Sequence, residues 1–146
     1  MRILVIRPGA LGDVLLTLPA LQALSAAYPH AAIELMGNLP VLEWLPGRSV
    51  VQTVSSFDRA DLATLFRPDA VPGAALQGYL DSFDLFLSYA TALEHVFARN
   101  LARLARGQVL LLDARSPDGH VHMSRYLQRP LAELGITPDV GYPALH

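Results

Sequence analysis

Arg2-Ile3-Leu4-Val5-Ile6-Arg7-Pro8-Gly9-Ala10-Leu11-Gly12-Asp13 stands at the start of the chain, and its two halves read differently. Ile3 to Ile6 is an unbroken aliphatic, β-branched run, which predicts a strand buried on both faces, as a parallel sheet requires. Pro8, Gly9 and Gly12 then make a turn, and Asp13 leads into an apolar stretch reaching Tyr28. Leu15, Leu18, Leu21 and Leu24 recur there at the spacing of one buried helix face. Pro19 lacks an N–H and crowds the preceding turn, so a helix from about Asp13 is expected to kink there before resuming to Tyr28.

The same alternation continues outward. Ala32 to Met36 predicts a second strand closed by Gly37-Asn38, and Leu39 to Leu45 a short helix or turn between Pro40 and Pro46. Val50 to Val54 and Leu85 to Tyr89 predict a third and a fourth strand. Between them, Phe57 to Ser82 carries Pro68, Pro72, Gly73 and Gly78 and shows only short apolar pieces. Leu93, Val96, Phe97, Asn100, Leu101 and Leu104 form one helical face, with Arg99, Arg103 and Arg106 pointing largely away from it and Gly107 as a stop. Val109 to Leu112 predicts a fifth strand. Met123 to Leu134 reads as a last helix, interrupted by Pro130 and stopped by Gly135. Strands alternating with helices predict an α/β, Rossmann-like, mostly parallel sheet with helices on both faces. Ligands of such sheets sit beyond the carboxyl ends of the strands, which is where the Pro8–Asp13 loop falls. Residues 1–137 read as this one domain, and 138–146, with Pro138, Gly141 and Pro143, as the start of an interdomain linker.

Composition narrows the class. With 146 residues, 52% of them hydrophobic and 16% charged, the chain is long enough for one sizeable core and is expected to fold. It has no cysteine, so disulfides and thiolate metal sites are ruled out, and a reducing cytoplasm fits. No apolar run reaches the ~20 residues that span a bilayer. A net charge of −2 predicts no nucleic-acid footprint. All 11 basic residues are arginine, which together with the alanine content reads as codon usage in a GC-rich genome.

Glycines in a strand-to-helix turn let a ligand approach the backbone, and the helix start offers free N–H groups and positive potential. That suits a phosphate. The spacing is neither a dinucleotide fingerprint nor a P-loop, because the third glycine and the Gly-Lys-Ser/Thr are missing. Asp13 has two compatible readings. As a helix cap, its carboxylate accepts the N–H groups of the first turn. As a general base, it projects into the cleft, and a base of modest strength serves when the leaving group is a good one.

The stretch from Ile3 through Leu-Gly-Asp (Leu11-Gly12-Asp13) to Thr17-Leu18-Pro19-Ala20-Leu21 resembles the opening of family 9 glycosyltransferases, which include the ADP-heptose:lipopolysaccharide heptosyltransferases. Ala31-Ala32-Ile33-Glu34-Leu35 is similar to the family's second strand, and Tyr126-Leu127 through Leu134-Gly135-Ile136 to its late helix. The resemblance implies the N-terminal half of a GT-B fold, with the donor-binding C-terminal domain outside this chain. It implies an inverting transfer of heptose or a related sugar from a nucleotide-sugar, such as ADP-heptose, to a lipid-linked or oligosaccharide acceptor. No metal or other cofactor is implied. Asp13 takes the place of the catalytic base, and the amides of Gly9, Ala10, Leu11 and Gly12 lie near donor phosphates or acceptor. One departure stands out: many relatives carry Ser or Thr where this chain has Gly9-Ala10, so only backbone donors remain here.

Other residues carry open readings. Arg7 suits an acceptor anion or an ion pair with an acid such as Asp113. Arg115, also at the carboxyl edge, suits an anionic acceptor. His120 and His122 fit a loop or helix-entry role, or an acceptor contact, better than a metal site, for want of a third ligand. Asp84 falls at the opposite edge of the sheet. Arg99, Arg103 and Arg106 read as a solvated helix face, while a lipid-linked acceptor leaves room for peripheral contact with an anionic inner membrane. The competing class is a non-catalytic Rossmann-like module that binds an anionic ligand or a partner protein.

Overall fold

β1 (Arg2–Ile6), the predicted first strand, is the central strand of a five-stranded sheet. The computed structural model describes residues 1–90, 95–115 and 122–137. β2 (Ala32–Gly37) and β3 (Thr53–Ser56) extend the sheet to one side of β1, and β4 (Leu85–Ser88) and β5 (Gln108–Leu111) to the other. The order is β3-β2-β1-β4-β5, and every pairing is parallel.

Alternation along the strands sorts the core into two layers. Ile3, Val5, Ile33, Leu35, Leu85 and Leu87 face a cluster built with Val14, Leu18, Leu21 and Leu24 of α1 (Leu11–Ala27), Leu42 of α2 (Leu39–Leu42), and Leu127 and Leu131. Leu4, Ile6, Met36 and Phe86 face the opposite cluster. It contains Leu62 and Leu65 of the 3-10 helix Ala60–Phe66, Leu76 and Leu80 of α3 (Ala74–Asp81), and Phe97 and Leu101 of α4 (His95–Leu104). Helices therefore cover both faces, as the strand composition predicts.

Three boundaries differ from expectation. α1 begins at Leu11 with Ala10 as its cap, and it runs unbroken through Pro19 to Ala27. Pro19 is buried, and Thr17 Oγ1 donates to the Asp13 carbonyl (2.8 Å), tightening the turn before it. β3 lies at Thr53–Ser56 rather than 50–54, because Val51 is spent on core packing before pairing begins. The last predicted helix is divided into α5 (Met123–Tyr126) and a 3-10 helix, Arg129–Leu134, with Pro130 near the start of the second piece, where its missing N–H costs nothing. Leu93, His120 and the 138–146 segment lie outside the described residues.

Topology places the site. After β1 the chain builds β2 and β3 on one side, then returns to build β4 and β5 on the other. The carboxyl ends of β1 and β4 thus flank the point where the winding reverses, the position at which doubly wound sheets open a crevice.

Candidate functional site

The β1–α1 corner occupies that crevice. β1 delivers Arg7, whose backbone N–H extends the ladder to the Met36 carbonyl (2.8 Å). Gly37 lies against this corner: a Cβ there would stand 2.5 Å from the Arg7 carbonyl oxygen, so only glycine allows the approach. Gly9 is the second obligatory glycine. Its φ of +151° disfavours any side chain, and a Cβ would come within 2.7 Å of Asp13 Oδ2.

Asp13 is the third residue of α1, not its cap. One carboxylate oxygen, Oδ2, reaches back to accept the Ala10 N–H (2.9 Å), which is half of a capping box; the cap residue is alanine and returns no side-chain bond. The other oxygen, Oδ1, stands 3.6 Å from Nη2 of Arg7. The Asp13 side chain is 48% exposed, so its carboxylate is fixed in direction yet open to the crevice.

Arg7 is the buried member of the pair, at 6% exposure. Its Nε donates to Thr17 Oγ1 (3.1 Å) and its Nη1 to the Pro8 carbonyl (3.2 Å). Its guanidinium also lies 5.8 Å from the centre of the ring of Tyr89, the residue that follows β4. Burial pushes the guanidinium below its ordinary value, while the charge of Asp13, and to a lesser degree Tyr89, pushes it back up. An arginine stays protonated throughout. The acid that partners Arg7 is therefore Asp13 and not Asp113.

The backbone of the corner is accessible. The first intrahelical bond runs from the Val14 N–H to the Ala10 carbonyl (3.2 Å), so the N–H groups of Leu11, Gly12 and Asp13 precede the ladder. Leu11 is exposed, and a Cβ at Gly12 would meet nothing within 4 Å. Glycine inside a helix costs about 1 kcal/mol relative to alanine. Among the described residues no packing accounts for it at Gly12, and its effect is a bare patch of helix start facing the crevice.

The remaining sequence candidates lie apart from this corner. Arg115 follows β5 and pairs with Asp113: its N–H donates to Asp113 Oδ1 (2.9 Å) and its Nε lies 3.6 Å from the same atom. β5 is separated from β1 by β4. Asp84 accepts the Arg2 N–H (2.8 Å) at the amino edge. His122 precedes α5 and its Nδ1 contacts Ser124 Oγ (2.7 Å). Among the described residues no group of three or more His, Cys, Asp or Glu side chains could hold a metal ion, and no helix is long and apolar enough to cross a membrane. Two participants were not assigned from sequence. Thr17 sits one turn beyond Asp13 on the loop-facing side, which could have marked it. Tyr89 arrives from a distant strand, and no local pattern points to it.

A scan against protein-family models finds no match for the chain, and a search of curated proteins finds none. Solved structures do match. The E. coli heptosyltransferase WaaC with ADP superposes at a TM-score of 0.64 and 17% identity, covering 97% of this chain and 50% of that one. A family 9 glycosyl transferase from Veillonella parvula gives 0.64 and 18%, covering 99% and 44%. The E. coli ADP-heptose LPS heptosyltransferase II gives 0.59 and 19%, covering 100% and 46%. At these identities the likeness establishes the fold, a Rossmann-like domain shared with GT-B glycosyltransferases. The chain spans about half the length of the structures it matches.

Proposed function

We propose that this chain is the acceptor-side half of an inverting glycosyltransferase, with Asp13 as its general base. The sugar is heptose or a close relative, drawn from a nucleotide-sugar and passed to a lipopolysaccharide-type acceptor. The observation that carries the reading is a half-exposed carboxylate at the winding-reversal crevice, aimed by the Ala10 N–H and the buried Arg7 guanidinium. The fold shared with heptosyltransferases supports it, one of them solved with ADP-2-deoxy-2-fluoro heptose.

A carboxylate offers about four acceptor positions, of which the Ala10 N–H takes one. The rest leave room for an acceptor hydroxyl. In the reaction, that hydroxyl gives its proton to Asp13 as its oxygen attacks the anomeric carbon. The bond from that carbon to the diphosphate oxygen breaks on the opposite side, and the leaving nucleoside diphosphate takes the electron pair. A single base and an in-line attack give inversion. The free N–H groups at Leu11 and Gly12, with the glycine at position 9, suit the phosphates or the acceptor. Arg7 acts through Asp13, since its donors are directed to Thr17, Pro8 and the carboxylate itself. Arg115, exposed beyond β5 and paired with Asp113, suits an anionic acceptor.

The test measures transfer from ADP-heptose to a heptose-deficient lipopolysaccharide acceptor, using the chain together with its donor-binding domain. Asp13→Asn is expected to lower turnover by about 10²- to 10⁴-fold, the usual contribution of a general base. Turnover near the unmodified rate removes Asp13 from the mechanism.

A further inference from the structure

On the opposite side of the sheet from α1, α4 carries Arg99 and Arg103 one turn apart, at the rim of a hollow of about 410 Å³. Pro68 and Asp69 form the other wall, and Val96 and Asn100 complete the lining. From this geometry we infer a second, separate site: a pocket for a phosphate-type anion held between Arg99 and Arg103.

Arg103 is preorganised for the task. Its Nη2 donates to the Ala70 carbonyl (2.7 Å) and to Asn100 Oδ1 (2.9 Å), so the side chain is held in place by neutral acceptors that leave its charge uncompensated. Asn100 is itself buried, and its amide donates to the carbonyls of Leu65 and Arg67 (both 2.8 Å). One buried amide thus ties α4, the chain segment after the 3-10 helix and the Arg103 guanidinium into a single unit. The Arg99 side chain has no hydrogen-bond or ion-pair partner among the described residues. Two like charges spaced four apart on a helix repel each other, and an anion between them converts that repulsion into two charge-assisted contacts.

The surroundings favour an anion. Arg106 lies two residues beyond the end of α4, and Arg67 precedes the loop wall; both are exposed. Asp81 is engaged by Arg106 (3.5 Å), which leaves Asp69 as the carboxylate lining the hollow. Asp69 adopts a left-handed backbone conformation, φ 54°, tolerated by aspartate in a tight turn. Beside it Val71 is 85% exposed, an apolar tip next to the cationic rim. A soluble phosphate ester and a phospholipid headgroup present the same chemistry to the two arginines, and Val71 would add contact only to the second.

The inference is independent of the role proposed for Asp13. Titrating the isotope-labelled chain with inorganic phosphate, at ionic strength matched with chloride, is expected to give saturable shifts at the Arg99 and Arg103 side-chain Nε–H signals and at the amides of Asp69 and Ala70. The Arg99→Gln variant removes no described contact and should fold unchanged, yet weaken phosphate binding about tenfold; Arg99→Gln with Arg103→Gln should abolish it. Flotation with phosphatidylcholine vesicles, with and without phosphatidylglycerol, separates the sources. Binding to the anionic vesicles that Val71→Asp removes identifies a headgroup, and phosphate saturation without vesicle binding identifies a soluble ester. Shifts that chloride reproduces, or that persist in Arg99→Gln at unchanged affinity, overturn the site.

Discussion

Arg7 and Arg115 both follow strands at the carboxyl edge of the sheet, and their surroundings differ as much as two arginines can. Arg7 is sealed under the β1–α1 corner, with Thr17, Pro8, Asp13 and Tyr89 all within reach of its guanidinium. The Arg115 side chain is 70% exposed, and among the described residues its guanidinium pairs with Asp113. The first aims a carboxylate; the second presents its guanidinium at the surface beside Asp113. Equal position along a sheet edge does not mean equal surroundings, because burial decides whether a cation's donors are turned inward or left at the surface.

The contrast can be broken by substitution. Gly9→Ala should do most damage, since the new Cβ meets Asp13 Oδ2 at 2.7 Å from a backbone at φ +151°. A loss of about 2–3 kcal/mol is expected in urea unfolding, and an unchanged midpoint would show that the corner is not held as described. Arg7→Met keeps bulk but strips Thr17 and Asp13 of their partner. About 1–3 kcal/mol should be lost by the same measurement, with Arg7→Lys falling between. Equal stability of Arg7→Met and the unmodified chain would mean that the buried charge braces nothing. Arg115→Ala should change stability by no more than about 0.5 kcal/mol, as exposed ion pairs contribute little. A larger loss would erase the distinction between the two arginines.

How much of this could be seen in the sequence follows from the range of the interactions involved. β1 and β4 were legible because Ile3–Ile6 and Leu85–Leu87 are buried on both faces, and a strand of that kind announces itself as a solid apolar run. β3 was misplaced because Val50 and Val51 pack against the core without pairing, whereas Thr53 and Ser55 pair and turn their hydroxyls toward the buried Glu34. Tyr79 donates to the same Glu34 carboxylate, so the segment from Phe57 to Ser82 is organised partly by a polar cluster with no periodicity to betray it. At the site, Asp13 and its glycines stand in one local motif and could be picked out. Their brace was legible only in part: Thr17 stands one turn beyond Asp13 on the same helix, whereas Tyr89 reaches Arg7 only through the pairing of β1 with β4. The hollow beside α4 was equally hidden, since the arginine stripe was visible but the Asn100 tie to Leu65 and Arg67 was not.

The central claim concerns one distance. A crystal structure of the chain joined to its donor-binding domain, with acceptor and a non-transferable nucleotide-sugar bound, should place the attacking acceptor hydroxyl within about 3 Å of an Asp13 carboxylate oxygen. The Ala10 and Arg7 contacts should persist in that complex. An acceptor hydroxyl seated against a different base, with Asp13 remote from the anomeric carbon, would contradict the account.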